Sequence, residues 1–266
     1  MRLKLTLAII VIFMAAPAVA ADRSLPGQAT PARGVYVGVF GGGGFGSTTD
    51  VTQLGTAFFS EAEGGPLAVN ATGRTDSGGV GFVGGQIGYE WSHGSVVLPA
   101  FEIEGLYLDA GTRRATLQNP TDRLPEHTFD DSFPMNNAVV LANLVLSLPT
   151  SYGVTPYFGG GIGGARVAID GAHSLQTNPT EAGINHFNSG PDSTAWSFAA
   201  QAKVGVRVAL GSNAYVFGEY RYLYVGSTDQ IFGPTVYPTH VPTTAWTERF
   251  GETSYNLATA GIGFNF

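Results

Sequence analysis

Apolar and polar side chains alternate, or apolar ones are laced with glycine, in eight stretches at about 34–46, 78–91, 98–109, 137–148, 156–168, 195–210, 214–226 and 253–266. A period of two marks a strand whose two faces meet different surroundings. In the sixth stretch Trp196, Phe198, Ala200, Ala202, Val204, Val206 and Val208 share one face, and Ser197, Gln201, Lys203 and Arg207 share the other. In the seventh, Val216, Tyr220, Tyr222 and Tyr224 oppose Glu219 and Arg221; in the third, Phe101, Ile103 and Tyr107 oppose Glu102 and Glu104. The fourth sets Val140, Ala142, Leu144, Leu146 and Leu148 against Asn143 and Ser147, and the second sets Val83, Ile87, Tyr89 and Trp91 against Gln86 and Glu90. The first and fifth are too rich in glycine for a face to be assigned.

The connections sharpen this pattern. Long links (47–77, 111–136, 169–194, 227–252) alternate with short ones (around 92–95, 149–155, 211–213). In an up-and-down barrel all long loops then lie at one end and all tight turns at the other, as in barrels of the bacterial outer membrane. Each stretch is near or above the roughly 9–11 residues with which a tilted strand crosses a bilayer. The fold expected is all-β: an eight-stranded antiparallel up-and-down transmembrane β-barrel with four long external loops and short periplasmic turns. An arginine or lysine facing lipid at mid-bilayer costs roughly 2–4 kcal/mol. The charged face therefore belongs in the lumen, and Gln86, Glu90, Glu102, Glu104, Gln201, Lys203, Arg207, Glu219 and Arg221 are expected to fill it as a structural network. Of the aromatic residues near strand ends (Tyr89, Trp91, Tyr107, Tyr157, Trp196, Tyr224 and Phe266), several are expected to form interfacial girdles and others to be simple strand formers.

The chain ends agree. Ala258, Ala260, Ile262, Phe264 and Phe266 share one parity in a final strand that closes on an aromatic carboxyl terminus. An open apolar edge would recruit other chains, whereas a barrel pairs it with its first strand. Residues 1–20 carry a basic start (Arg2, Lys4), an apolar run and the small-residue site Ala18-Val19-Ala20, which reads as a secretory signal peptide. Residues 21–266 are then the barrel domain. No later stretch approaches the roughly 20 apolar residues of a spanning helix.

Composition narrows the class. Charged residues make up 12% of the chain, against roughly 25% in soluble domains, and aromatics are plentiful. Without Arg2 and Lys4 the formal net charge of −7 becomes −9, and Lys203 is the only lysine left. An acidic chain so poor in lysine has no footprint for nucleic acid. Cysteine is absent, which excludes disulfide and thiol chemistry. Glycines such as Gly84, Gly85, Gly159, Gly160, Gly161, Gly163 and Gly164 lie inside strands, where they relieve crowding on a narrow inner wall. Residues 159–164 match a dinucleotide-loop spacing, but Ala165, Arg166 and Val167 continue a strand where that motif needs a helix.

Four motifs in order over nearly the whole mature length carry a family resemblance: GVYVG at 34–38, GGQIGY at 84–89, GEYRY at 218–222 and AGIGFNF at 260–266. The chain resembles the eight-stranded outer-membrane barrels of Gram-negative bacteria. It is similar to the OmpA membrane domain and, more closely, to the porin-family outer-membrane proteins of alphaproteobacteria. The resemblance implies a cell outer membrane location, contact with outer-membrane lipid and lipopolysaccharide, and insertion by the barrel-assembly machinery, which reads the last strand at Phe264 and Phe266. No peptidoglycan-binding domain is expected after the barrel.

Eight strands enclose a space that side chains can fill, so the expected role is a structural, surface-displaying barrel whose lumen holds paired charges. The alternative is a small-solute pore using the same charges. A loop adhesin or receptor, a lipid-modifying barrel enzyme and a soluble ligand-carrying barrel stand further back. No catalytic residue, metal ligand or cofactor site is expected. His93 falls in a turn, and His127, His173, His186 and His240 fall in long loops without local ligand spacing or a serine beside them. Asp122, Glu126, Asp130 and Asp131 read as a solvated acidic cluster. The loop aromatics Phe58, Phe59, Phe129, Phe133, Phe187, Phe232, Tyr237, Trp246 and Phe250 are expected to pack the loops together above the barrel rather than anchor a partner.

Overall fold

The computed structural model describes residues 34–91, 96–119, 127–150 and 153–266. The signal-peptide region, the turn with His93, and Asp122 and Glu126 lie outside these residues. Thirteen strands form one antiparallel sheet: β1 (Gly34–Gly46), β2 (Asp50–Ala57), β3 (Leu67–Thr75), β4 (Gly78–Glu90), β5 (Leu98–Asn119), β6 (His127–Ser147), β7 (Val154–Ile169), β8 (His173–Asn178), β9 (Ser193–Ala209), β10 (Ala214–Val225), β11 (Thr228–Phe232), β12 (Trp246–Phe250) and β13 (Thr253–Asn265).

Eight of them close a ring, β1–β4–β5–β6–β7–β9–β10–β13, and β13 returns to β1 with Asn265 opposite Tyr36 and Tyr255 opposite Gly46. Closure satisfies the main chain without an edge, which is what a sheet needs to lie in lipid. These eight strands are the eight stretches read from the alternation. The assigned faces hold as well: Phe101, Leu144, Phe198, Val204 and Tyr220 are exposed on the outer wall while Glu102, Asn143, Lys203 and Arg221 are buried inside.

The glycine-rich strands now have faces. Tyr36 and Phe40 of β1 point inward and Val39 outward; in β7, Tyr157 points inward, Phe158 and Ile162 outward. Tyr157 is therefore a lumen residue and not a girdle member. Its strand carries no charge near it to set the parity, and proximity to a strand end misassigned it. Inner glycines form floors on which lumen rings lie. A Cβ on Gly88 would come within 2.3 Å of the Tyr36 ring, one on Gly84 within 2.5 Å of Phe40, and one on Gly263 within 2.1 Å of Tyr215.

The long links differ from the loops expected. β5 and β6 run on beyond the apolar belt and are 22 and 21 residues long in all, about 70 Å of extended chain each at roughly 3.3 Å per residue. On their flanks β11–β12–β2–β3 joins β5, and β8 joins β6. The barrel wall thus continues into an external sheet. The break in pattern that hid this is a β-bulge between Asp109 and Gly111. Gly111 takes φ 65°, in the left-handed region open to glycine, and its N–H donates to Asp109 Oδ1 at 2.9 Å. The extra residue flips the parity: Leu106, Leu108 and Ala110 are buried before it, Arg113, Ala115 and Leu117 after it.

Inside the external sheet lies a second apolar core. Phe129, Phe133, Phe187, Phe232, Trp246 and Phe250 pack in it, with Phe133 edge-on to Phe250 at 4.9 Å and Phe187 stacked on Phe232 at 4.6 Å. The loop aromatics thus pack the links together, as expected, whereas Phe58 stays exposed.

Candidate functional site: the filled lumen and the external histidines

Each lumen group is placed by strand parity, and the ring brings opposite charges from distant strands together. Lys203 Nζ on β9 lies 2.5 Å from Glu102 Oε1 and 3.1 Å from Glu104 Oε2, both on β5. The Arg221 guanidinium on β10 pairs with Glu104 and with Glu219. Asn143 Nδ2 donates to Glu102 Oε1 at 3.0 Å, and Gln201 Nε2 donates to Asn143 Oδ1 at 2.9 Å. Tyr36 donates to Glu102 Oε2 at 3.0 Å and Tyr157 donates to Glu219 Oε2 at 2.7 Å. Arg207 Nη1 lies 3.2 Å from Glu90 Oε2, and its guanidinium carbon stands 4.8 Å and 5.0 Å from the ring centres of Tyr157 and Tyr36. Such pairing is what lets charges persist away from water, and the tyrosine faces add cation–π attraction.

All nine residues expected in the lumen are there, and Gln86 is buried among them. The phenols of Tyr36 and Tyr157 and the amide of Asn143 complete the network. Only Asn143 was legible as an inward polar residue, because the tyrosines sit in the glycine-rich strands. On the loop side of the charges an apolar layer that includes Phe82, Leu106, Leu108, Val139, Leu141 and Leu223 fills the barrel. Arg113, Asn137, Thr49 and Tyr255 line a cavity of about 20 Å³ in the same interior, room for about one water.

The external sheet holds two further polar groups that sequence spacing could not show. Asp131 is 2% exposed and Glu248 0%, so Asp131 is not part of a solvated cluster. It lies on β6 beyond the membrane belt, one parity off from the exposed Asp130. Burial pushes Asp131 up to about 8 against the opposing pull of Ser174, with Asp130 adding to the rise. Burial also pushes Glu248 well above the carboxylate range, and the charge of Asp131 reinforces it.

The second group joins two links. Glu181 and His186 lie between β8 and β9, and His240 lies between β11 and β12. Glu181 Oε2 is 3.4 Å from His186 Nε2 and 3.2 Å from His240 Nε2, and the three atoms all lie within 4.8 Å of one another. His186 Nδ1 faces the Ser174 carbonyl at 3.2 Å, and His240 Nδ1 faces that of Val241 at 2.6 Å. The two imidazoles hold the Glu181 carboxyl down at about 2, and Glu181 in turn raises His240. His127 and His173 sit on strands β6 and β8 rather than in loops.

A closed eight-stranded antiparallel ring, apolar outside and ion-paired inside, defines a transmembrane β-barrel protein. The chain belongs to the outer membrane protein beta-barrel domain family, whose model matches residues 5–266, and that membership places it in the outer membrane. No curated protein sequence matches it. Among solved structures it is similar to neisserial surface protein A, at 17% identity over 89% of this chain and 100% of that one, TM-score 0.35. It is similar to OprG of Pseudomonas aeruginosa, at 13% identity over 90% and 100%, TM-score 0.42. A third is Ail of Yersinia pestis, at 10% identity over 84% and 99%, TM-score 0.26.

Proposed function

We propose that the protein is a non-conducting structural barrel that displays an ordered external sheet at the cell surface. The observation that supports this most is the lumen: Lys203, Glu102, Glu104 and Arg221 are cross-paired with side chains at most 1% exposed. A selectivity lining needs charges that a hydrated solute can reach, whereas these are spent on one another and lie beneath the apolar layer. Outer-membrane lipid and lipopolysaccharide would contact the outer wall, where Phe264 and Phe266 also face outward. The barrel-assembly machinery would engage that last strand, after export directed by residues 1–20. We assign no catalytic step, since His186 and His240 engage Glu181 and main-chain carbonyls.

The test is conductance of the purified protein in a planar bilayer. The proposal expects no unitary current steps from folded protein. Reproducible steps with a defined unit size would favour the small-solute pore.

A further inference from the structure

We propose that Glu181, His186 and His240 form a binding site for one divalent transition-metal ion of the zinc type, which ties the β8–β9 link to the β11–β12 link.

The donor set is two imidazole nitrogens and a carboxylate oxygen, the mixture that suits zinc and its neighbours. Two of the three spacings fit as they stand. Metal bonds of about 2.0 Å at tetrahedral angles put neighbouring donor atoms about 3.3 Å apart, and the two Glu181–histidine separations are 3.2 and 3.4 Å; the two imidazole nitrogens lie within 4.8 Å of each other and would draw together around the ion. The orientation fits as well. Main-chain carbonyls occupy both Nδ1 atoms and turn both Nε2 atoms toward Glu181, where an ion would replace the protons that now join them; metal-binding histidines are held in this way. His186 is 2% exposed, and its ring is braced edge-on by Phe129 at 5.3 Å and Trp246 at 5.9 Å. The pocket is thus set by the external core and does not have to be assembled by the ion. Glu181 is 34% exposed on its side chain, but the Oε2 that faces the histidines is buried, so a fourth ligand would enter with the ion. The bound ion would cross-link residues that are 59 positions apart along the chain, from Glu181 to His240, and would restrain both links against opening.

The experiment uses the whole mature protein, extracted in detergent, stripped with chelator and titrated with cobalt chloride. One Co²⁺ per chain is expected, with the intense visible absorption of a four-coordinate ion, and one equivalent of zinc chloride should displace it. Glu181→Gln and His240→Gln should each lose the signal while keeping the heat-dependent gel mobility of a folded barrel. Zinc should also slow proteolysis within 179–192 and 233–245 in the wild type and not in the variants. Should His240→Gln fail to fold, the partly exposed Glu181→Gln carries the test. No stoichiometric cobalt in the wild type, or full binding in a folded variant, overturns the proposal; in the first case the three groups are a proton-bridged ion cluster only.

Discussion

Lys203 Nζ lies 2.5 Å from Glu102 Oε1 with both side chains shut off from solvent, so the single lysine expected in the mature chain is spent inside the barrel. Removing it strands carboxylates in a dry interior, which costs about 3–5 kcal/mol when one partner of a buried pair is lost. Lys203→Met should lower the urea midpoint of the folded barrel by that order, and adding Glu102→Gln should recover much of it. In the wild type, Lys203 should resist amine-reactive reagents until the barrel is unfolded, as mass spectrometry of labelled peptides would show.

Glycines on the wall divide by what a methyl group would meet. At Gly163 a Cβ would come within 1.9 Å of the Val140 carbonyl oxygen, whereas at Gly81 nothing lies within 4 Å. Gly163→Ala should cost about 1–3 kcal/mol or more through overpacking and reduce the yield of heat-modifiable barrel. Gly81→Ala should assemble like the wild type.

Strand faces were legible wherever one charge or amide fixed the parity, as Lys203 does for β9 and Glu102 for β5. They were not legible in β7, where glycine and alanine give both faces the same character and Tyr157 was misplaced. The external strands escaped notice for a different reason. The alternation of Ala115 and Leu117 is as regular as that of Leu106 and Leu108, but one bulged residue puts the two out of phase, and a period-two pattern broken at a glycine reads as a strand end. The meeting of His186 with His240, and of Asp131 with Glu248, depends on strand neighbours far apart in sequence and has no local signal.

The external core should behave as a packed unit. Phe133 contacts Phe187, Phe232 and Phe250 and is fully buried. Phe133→Ala should destabilise that region by about 3–5 kcal/mol. Protease added to intact cells should then cut the external strands faster, while the membrane-embedded strands stay protected.

The buried acids give the external sheet a pH dependence of definite sign. With the folded Asp131 raised to about 8 and Glu248 raised beside it, the unfolded chain releases protons first as pH rises. Stability is therefore fully present below the ordinary carboxylate range near 4, and is lost progressively as pH climbs toward about 8, by at most about 1.4 kcal/mol per pH unit for each proton. Urea midpoints should fall between pH 5 and pH 8, and Asp131→Asn should flatten that fall. A wild-type midpoint that rises over this interval would contradict it.

Everything rests on side chains of opposite character facing opposite ways across one thin wall. Because the chain has no cysteine, single nitroxide labels can be walked along β9 from Ala200 to Val208 in bilayer-embedded protein, and their collision rate with dissolved oxygen measured. The account predicts maxima at Ala200, Ala202, Val204, Val206 and Val208 and minima at Gln201, Lys203, Gly205 and Arg207; a flat profile, or one with the opposite phase, would contradict it.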